Sequence, residues 1–200
     1  MENNIVSFMK RLCVSNLTTS LGGNISCRIS DGEILITPSS IDKAELTPND
    51  LITLDLNGNV LSGTHKPSME YMMHLSVYNA RKDIKAVIHA HPHYSTIFSA
   101  SGREIDLNFT AEACKNLKHI GIAQYKMMGT IELAEEVADK IKDDNVVLMK
   151  NHGVLTVGKD LLEAFYRMEV LEQAAQMTYH SLILKMNELP VNEINYLKSL

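Results

Sequence analysis

The sequence contains only three cysteines, and no two of them form a CxxC pair. Cys13, Cys27 and Cys114 are odd in number and widely separated, a usage that indicates reduced thiols in a cytoplasmic protein. The first four residues are polar and are followed by neither a basic segment nor a long apolar core. We therefore expect no signal peptide.

The chain also lacks long apolar runs and clusters of basic residues. No stretch is long enough to span a bilayer, so no membrane association is expected. The balance is mildly acidic, with 19 Lys and Arg against 24 Asp and Glu, which argues against nucleic acid as a partner. Ordinary apolar and charged fractions over 200 residues predict a single globular domain, residues 1–200, with a sizeable core.

Two histidines follow the apolar run Ala86–Ile88 and precede Pro92. Residues two apart in a strand point to the same face, so His89 and His91 can present their imidazoles side by side. Proline cannot continue the strand but suits the first turn of a helix. One histidine alone is more often a hydrogen-bonded residue than a ligand. Two that converge at a strand end indicate a site for zinc or another divalent metal.

A third histidine has the same context in a distant part of the chain. His152 lies in the turn Asn151–Gly153, directly after the apolar strand Val146–Met149. Catalytic zinc sites commonly use three protein ligands and keep one position open. If the two strand ends meet, they supply such a set.

Several segments predict the fold class. Two pairs of apolar segments are joined by turn signals typical of hairpins, namely Ile25–Ile29 with Glu33–Thr37 across Asp31-Gly32, and Ile52–Leu56 with Val60–Leu61 across Asn57-Gly58. Apolar residues at helical spacing predict helices over about residues 5–13, 68–82, 92–100, 130–141 and 159–186. Strands in hairpins, with helices between and after them, predict an α/β fold with a mixed sheet covered by helices.

Glu70 stands at the predicted start of the helix that leads into the histidine strand. Carboxylates are common in first helical turns, with Ser68 as a plausible N-cap, so a purely structural role is one interpretation. A helix packed beside the strand would instead bring Glu70 to the histidines, as a metal ligand or a general base. His74 is predicted to be a packing or hydrogen-bonding residue, and His93 to face solvent.

Three turns collect small residues, hydroxyls and open amides: Gly22-Gly23-Asn24, Ser39-Ser40 and Ser68. Any one of them alone is consistent with a plain turn. Together they would suit a phosphate held without a lysine cluster. A metal, a carboxylate and a phosphate site suggest proton transfer next to a carbonyl of a sugar phosphate.

Five motifs resemble, in order, those of the class II aldolase/adducin family, which includes zinc-dependent L-fuculose-1-phosphate aldolases. They are Gly22-Gly23-Asn24-Ile25-Ser26, Thr37-Pro38-Ser39-Ser40, Lys66-Pro67-Ser68-Met69-Glu70, His89-Ala90-His91-Pro92 and Asn151-His152-Gly153. The resemblance implies a three-layer α/β/α fold with a central mixed, largely antiparallel sheet. It also implies a homotetramer with active sites between subunits.

The resemblance further implies roles for particular residues. His89, His91 and His152 would hold Zn²⁺, or another divalent metal such as Mn²⁺ or Co²⁺, and Glu70 would be the catalytic acid/base. The substrate phosphate would be bound by Gly23, Asn24, Ser39, Ser40 and Ser68. The implied reaction is reversible retro-aldol cleavage of a ketose 1-phosphate, similar to L-fuculose 1-phosphate, to dihydroxyacetone phosphate and an aldehyde.

The sequence departs from the aldolase pattern at two places. Ser68-Met69 stands where Ser-Ser is common, and Phe109 or Thr110 falls where the fuculose-phosphate aldolases carry a tyrosine proton donor. Glu112 is a speculative replacement for that donor. These departures affect the assignment to fuculose phosphate, not the retro-aldol reaction itself.

Other functions remain open at this stage. The same site could dehydrate methylthioribulose 1-phosphate or epimerise a pentulose phosphate, although epimerases usually have aspartate in place of Glu70. A non-catalytic assembly module, as in adducin, would have lost the metal ligands. Metal-assisted hydrolysis is also compatible with zinc and a glutamate. A Schiff-base aldolase would need a buried lysine, for which Lys150 is the candidate, though a solvated or ion-paired lysine is its ordinary interpretation.

Overall fold

A computed structural model describes residues 1–200, in which eight strands form one sheet. The strands are β1 (Asn24–Arg28), β2 (Glu33–Ile36), β3 (Ile52–Asp55), β4 (Val60–Ser62), β5 (Ala86–Ala90), β6 (Gly121–Ala123), β7 (Val146–Met149) and β8 (Gly153–Gly158). Their order across the sheet is β4-β3-β2-β1-β5-β8-β7-β6. Every neighbouring pair is antiparallel except β6 with β7. The sheet is therefore mixed and largely antiparallel, as predicted.

Seven α-helices accompany the sheet. They are α1 (Glu2–Val14), α2 (Tyr71–Ala80), α3 (His93–Ser101), α4 (Ala111–Leu117), α5 (Ile131–Lys140), α6 (Leu161–Ser181) and α7 (Val191–Ser199). None of them combines the length and the apolar character that a membrane-spanning helix needs.

The core is divided between the two faces of the sheet because successive strand residues point to opposite sides. On one face, Ile88 and Val154 pack in a cluster with residues of α1, α3, α4 and α6. On the other, Val87 and Leu155 pack with residues of α2 and α5. The helices thus form two outer layers, which confirms the three-layer α/β/α fold.

The predicted hairpins are present, and their turn residues explain them. β1 pairs with β2 across Asp31-Gly32, and β3 pairs with β4 across Asn57-Gly58. Gly58 has a φ of +91°, a conformation that suits glycine. All three cysteines are free thiols, as expected.

The helix before the histidine strand starts later than predicted. It begins at Tyr71, and Ser68 is not its N-cap. A bridge between Pro38 and Pro67, and a bond from the Ser68 amide to the Thr37 carbonyl, hold this segment extended against the Ser39 turn. Glu70 occupies the N-cap position, yet its side chain makes no capping hydrogen bond. The carboxylate is therefore free for another role.

The C-terminal part also differs from the predicted helix over about residues 159–186. The helix α6 ends at Ser181, and α7 follows Pro190. No residue of α7 is buried. Because proline suits the start of a helix, Pro190 marks the beginning of α7, and the preceding helix has already ended at Ser181.

Candidate active site

The strand pairing brings the three histidines together. His89 is in β5, His91 follows its end, and His152 lies in the turn before β8. Because β5 and β8 are antiparallel neighbours, with Ala90 opposite Val154, that turn lies beside the end of β5. The ring centroids are 4.6 Å apart for His89 and His91, 4.9 Å for His89 and His152, and 5.5 Å for His91 and His152.

The hydrogen bonds of these imidazoles leave nitrogen atoms free. His89 Nδ1 donates to the Val154 carbonyl at 2.9 Å, so a neutral His89 carries its lone pair on Nε2. That Nε2 and His152 Nδ1 are both buried without a hydrogen-bond partner. One ring nitrogen from each of the three histidines lies within 4.8 Å of the others. Three imidazoles in this arrangement could hold a divalent metal ion.

Burial and mutual repulsion keep one of the rings neutral. Burial, together with the charges that His89 and His152 would carry, lowers the pKa of His91 to about 3. For His89, burial also favours the neutral ring, but the Glu70 carboxylate outweighs it and raises the pKa. Neutral imidazole is the form that binds a metal, so His91 needs no deprotonation to do so near pH 7.

Glu70 reaches into the same cluster. Its Oε2 lies 3.1 Å from His89 Nε2, and its Oε1 lies 3.1 Å from His152 Nε2. Oε1 and His89 Nε2 have no partner at hydrogen-bonding angles despite this proximity. Burial on its own would raise the pKa of Glu70, but His89 and His152 lower it below the usual value. The structure therefore contains a carboxylate against the face of a three-histidine cluster.

A chain of buried polar groups orients Glu70 from behind. Asn24 Nδ2 donates to Glu70 Oε2 at 3.1 Å, and Asn24 Oδ1 accepts from His74 Nε2 at 2.5 Å. His74 Nδ1 then accepts from the Ser26 hydroxyl at 2.6 Å, and Ser26 Oγ accepts from the Tyr78 hydroxyl at 3.0 Å. His74 is fully buried, and burial lowers its pKa to about 3, consistent with the neutral ring that these bonds require. The hydrogen-bonding role predicted for His74 is confirmed.

A cavity of about 220 Å³ opens beside the cluster. Glu70, His91 and His152 line this cavity. It is also lined by all five residues predicted to contact phosphate, which are Gly23, Asn24, Ser39, Ser40 and Ser68. Asn24 uses its side chain on Glu70 and His74, so its predicted phosphate contact stays a prediction. Ser39 and Ser40 place their hydroxyl oxygens 3.3 Å apart.

One charged residue of the cavity wall is not predicted from the sequence. Lys43 lines the cavity and is 2% exposed. Its neighbours Asp42 and Ala44 are polar or small, and a lysine among them is typical of a surface turn. No periodicity or motif distinguishes a buried lysine in such a segment, so only the structure reveals it.

Other candidates lie away from the cavity. Phe109, Thr110 and Glu112 do not line it. Thr110 caps α4, and Glu112 accepts a hydrogen bond from Tyr166 at 2.8 Å. The role of Glu112 as a replacement for the tyrosine donor stays a prediction. Lys150 donates to Gln124 Oε1 at 2.8 Å outside the cavity. His93 is exposed, as expected.

Comparisons with known proteins show which family the chain resembles. The profile of the class II aldolase and adducin N-terminal domain matches residues 3–179. The chain is 43% identical over 159 residues to L-fuculose phosphate aldolase of Methanococcus maripaludis, across 79% of this chain and 84% of that protein. It is 38% identical over 184 residues to the L-fuculose phosphate aldolase of Methanocaldococcus jannaschii, across 92% and 98%. A solved L-fuculose 1-phosphate aldolase superposes with a TM-score of 0.90 at 32% identity, across 99% of this chain and 94% of that chain.

Relatives of similar length carry other names. The 5-deoxy-D-ribulose 1-phosphate aldolase of Bacillus thuringiensis is 34% identical over 180 residues, across 88% of this chain and 83% of that protein. The 3-oxo-tetronate 4-phosphate decarboxylase of Haemophilus influenzae is 32% identical over 167 residues, across 81% and 79%. The family is therefore shared by proteins named for different reactions on phosphorylated compounds.

Proposed function

This chain belongs to the class II aldolase and adducin family, and from that premise we propose that it is a metal-dependent aldolase. The reaction is reversible cleavage of a ketose 1-phosphate to dihydroxyacetone phosphate and an aldehyde. The observation that carries the proposal is the position of Glu70, whose carboxylate oxygens lie 3.1 Å from the Nε2 atoms of His89 and His152. A carboxylate beside a metal-binding group is the pair that proton transfer next to a carbonyl needs.

The three histidines are the residues that would hold the metal, and their chemistry fits zinc, with manganese or cobalt as alternatives. When bound, a divalent ion acts as a Lewis acid toward the carbonyl of the ketose. The bond from His89 Nδ1 to the Val154 carbonyl fixes the orientation of that ring. His89 contributes from β5, which is paired with β1 on one side and β8 on the other, and this pairing keeps the ligand set preorganised.

Glu70 has the role of acid and base. In the direction of synthesis it removes a proton from the carbon adjacent to the carbonyl of dihydroxyacetone phosphate, and in cleavage it returns that proton. Asn24 holds the carboxylate in place through its amide, and His74 holds Asn24. Glu70 is 8% exposed, so its carboxylate has little contact with bulk solvent.

The phosphate end of the substrate fits the hydroxyl-rich side of the cavity. Gly23, Ser39, Ser40 and Ser68 offer hydroxyl groups and small side chains there, and Asn24 lies between them and Glu70. This assignment places the phosphate on one side and the metal on the other, with the reacting carbon between them.

The names of the relatives suggest two substrates. L-Fuculose 1-phosphate would release lactaldehyde, and 5-deoxyribulose 1-phosphate would release acetaldehyde, since both leave the three carbons of dihydroxyacetone phosphate. We propose a deoxyketose 1-phosphate as the substrate class. We further propose that residues 1–200 act as one catalytic domain within a homotetramer, as the family resemblance implies.

A second candidate is decarboxylation, which is favoured by the relative named for it. Loss of carbon dioxide next to a carbonyl also generates a carbanion, so the same metal site and carboxylate would serve. Dehydration and epimerisation remain weaker alternatives, and the complete three-histidine cluster argues against a non-catalytic module.

The test is to supply dihydroxyacetone phosphate with lactaldehyde, acetaldehyde or glycolaldehyde and to identify the products by mass and NMR. Zinc-loaded protein should consume dihydroxyacetone phosphate with at least one aldehyde, and chelator-stripped protein should not. Carbon dioxide release from a 3-oxo acid phosphate, without any aldol product, would favour the decarboxylase instead.

A further inference from the structure

Lys43 is a buried lysine in the wall of the candidate active site. Its side chain is 2% exposed, and it is among the largest fully buried side chains of the protein. Lysine is almost never fully buried unless it is paired, because removing the ammonium from water is costly. The surroundings of this charge therefore need an explanation.

The hydrogen bonds of Lys43 leave its charge uncompensated. Its Nζ donates to the Pro38 carbonyl, which is its only acceptor. No Asp or Glu carboxylate oxygen lies within 4.0 Å of it. An ammonium has three N–H donors, so Pro38 satisfies one of them and does not neutralise the charge. Burial lowers the pKa of Lys43, in agreement with a cation that lacks an anionic partner.

The position of Lys43 relates it to the hydroxyl-rich turns. Its backbone amide donates to the Ser20 carbonyl at 2.8 Å, and its side chain reaches the Pro38 carbonyl directly before Ser39. It thereby ties the chain before Gly23 to the turn of Ser39. Among the residues that line the cavity, Lys43 is the only Lys or Arg, as Glu70 is the only Asp or Glu.

We propose that Lys43 is the counter-charge for the phosphate of the substrate and so determines specificity for a phosphorylated ketose. This inference rests on the proposed function, which assigns the phosphate to the turns of Gly23 and Ser39. The hydroxyl groups there can accept and donate hydrogen bonds but carry no charge. A cation beside them would strengthen the binding of a dianion, and Lys43 is the one Lys or Arg that the cavity wall contains.

The first measurement is the affinity for inorganic phosphate, by calorimetric titration at constant ionic strength. Lys43→Met removes the charge at similar length, and Lys43→Gln removes it while keeping a donor for Pro38. Lys66→Met is the matched control, because Lys66 is exposed and its carbonyl accepts from the Ser39 amide. Both Lys43 variants should bind phosphate at least about tenfold more weakly, and Lys66→Met should stay within about twofold of wild type.

A second measurement separates a charge from a structural tie. The ratio of kcat/KM for dihydroxyacetone phosphate to that for uncharged dihydroxyacetone should fall at least about tenfold in Lys43→Met. An equal loss of kcat/KM with dihydroxyacetone phosphate and with dihydroxyacetone would mean that Lys43 only holds the Pro38 turn. That result would overturn the proposal. Covalent capture of Lys43 by borohydride in the presence of dihydroxyacetone phosphate would also overturn it, since that outcome assigns the amine to a Schiff base.

Failure of this inference is distinguishable from failure of the aldolase proposal. Phosphate binding that depends on Lys43 supports the inference even if no aldehyde is consumed. Aldolase activity with equal phosphate affinity in all four proteins sinks the inference and leaves the aldolase intact. Absence of phosphate binding by folded wild type contradicts the inference directly.

Discussion

At the scale of single residues, the three histidines are the part of the site that the sequence predicts best. Each follows an apolar run that ends in a turn or a proline, and such a context allows a strand-end position to be predicted from the sequence. The residues that position Glu70 cannot be predicted in this way. The contacts of Asn24 with Glu70 and His74 join residues 46 and 50 positions apart, and no local pattern encodes them.

Removal of one histidine should release the metal. We expect His152→Ala to bind zinc at least about tenfold more weakly than wild type, because loss of even an outer-shell partner commonly costs 10–100-fold and this residue would be a ligand. His93→Ala should retain wild-type affinity, since His93 is exposed and lies outside the cluster. Zinc content after dialysis against a weak chelator gives the answer without any activity assay. Equal zinc in both variants would refute the assigned ligand set.

The buried His74 should make stability depend on pH. Burial lowers its pKa to about 3, so the folded protein keeps it neutral at pH 5 while the unfolded chain protonates it below its ordinary pKa. The unfolded state then binds more protons, and stability falls as pH falls from about 6.5. Between pH 7 and pH 5 this residue alone should remove about 2 kcal/mol from the free energy of unfolding.

Urea unfolding of metal-free protein at the two pH values tests this. His74→Gln should lose less stability than wild type between pH 7 and pH 5, by about 2 kcal/mol, whatever its starting stability. His93→Gln should show the wild-type pH dependence because that ring is exposed. An equal loss of unfolding free energy between pH 7 and pH 5 in wild type and in His74→Gln would exclude the buried neutral His74 as the cause of the pH dependence.

At the scale of elements, the pairing of β5 with β8 builds the site. The pairing places the turn before Gly153 against the end of β5. Gly153 allows the two backbone segments to approach each other closely there. A Cβ on Gly153 would lie 2.6 Å from the Ala90 carbonyl oxygen and 2.7 Å from His91 Cδ2. The glycine of the Asn151–Gly153 motif is therefore a requirement of close strand approach.

Substitution of this glycine should disturb both stability and the metal site. We expect Gly153→Ala to lower the free energy of unfolding by about 1–3 kcal/mol, as overpacking does, and to weaken zinc binding because His91 must move. Gly32→Ala is the control, since a Cβ there meets nothing within 4 Å, and it should change stability by less than about 0.5 kcal/mol. Urea unfolding and zinc titration of the two variants test this. Equal stability and equal zinc affinity of Gly153→Ala and Gly32→Ala would show that Gly153 is not required for the close approach.

The elements themselves were predictable to different degrees. Hairpins follow from Asp31-Gly32 and Asn57-Gly58, because such turns act locally. The later start of α2 was not predictable, since it depends on the bridge between Pro38 and Pro67, which are far apart in the sequence. Ser68 resembles an N-cap by its type and its distance from the apolar run, and a tertiary contact overrides that preference.

At the scale of the whole molecule, the layered architecture follows from the alternation of strand and helix patterns, but the strand order does not. The sequence predicts a mixed sheet covered by helices. It does not reveal that β1 separates β2 from β5, or that β8 lies between β5 and β7. Those pairings are long-range, and they decide which loops meet at the cavity. The family resemblance implied which residues share a site, but it did not give the strand order.

The two outer layers also bury part of the site. His89 is 0% exposed and belongs to β5, an inner strand of the sheet. One face of the sheet packs against a layer that contains α6, and the other packs against a layer that contains α2. Glu70 is anchored at the start of α2 and the histidines at the ends of β5 and β7. Residues held by separate but packed elements keep their mutual distances, which the proposed proton transfer needs.

The central claim is that Glu70 moves a proton at the carbon next to a carbonyl, in a metal-dependent manner. The most direct measurement is exchange of that proton with deuterium when dihydroxyacetone phosphate is incubated with the protein in heavy water, without any aldehyde, followed by proton NMR. We predict exchange at the hydroxymethyl carbon by zinc-loaded wild type and by Glu45→Gln, an exposed glutamate control. Chelated protein should show none, and Glu70→Gln should be slower by about 10²–10⁴-fold while it still binds zinc. Undiminished exchange by zinc-loaded Glu70→Gln, or none by zinc-loaded wild type, would contradict the account.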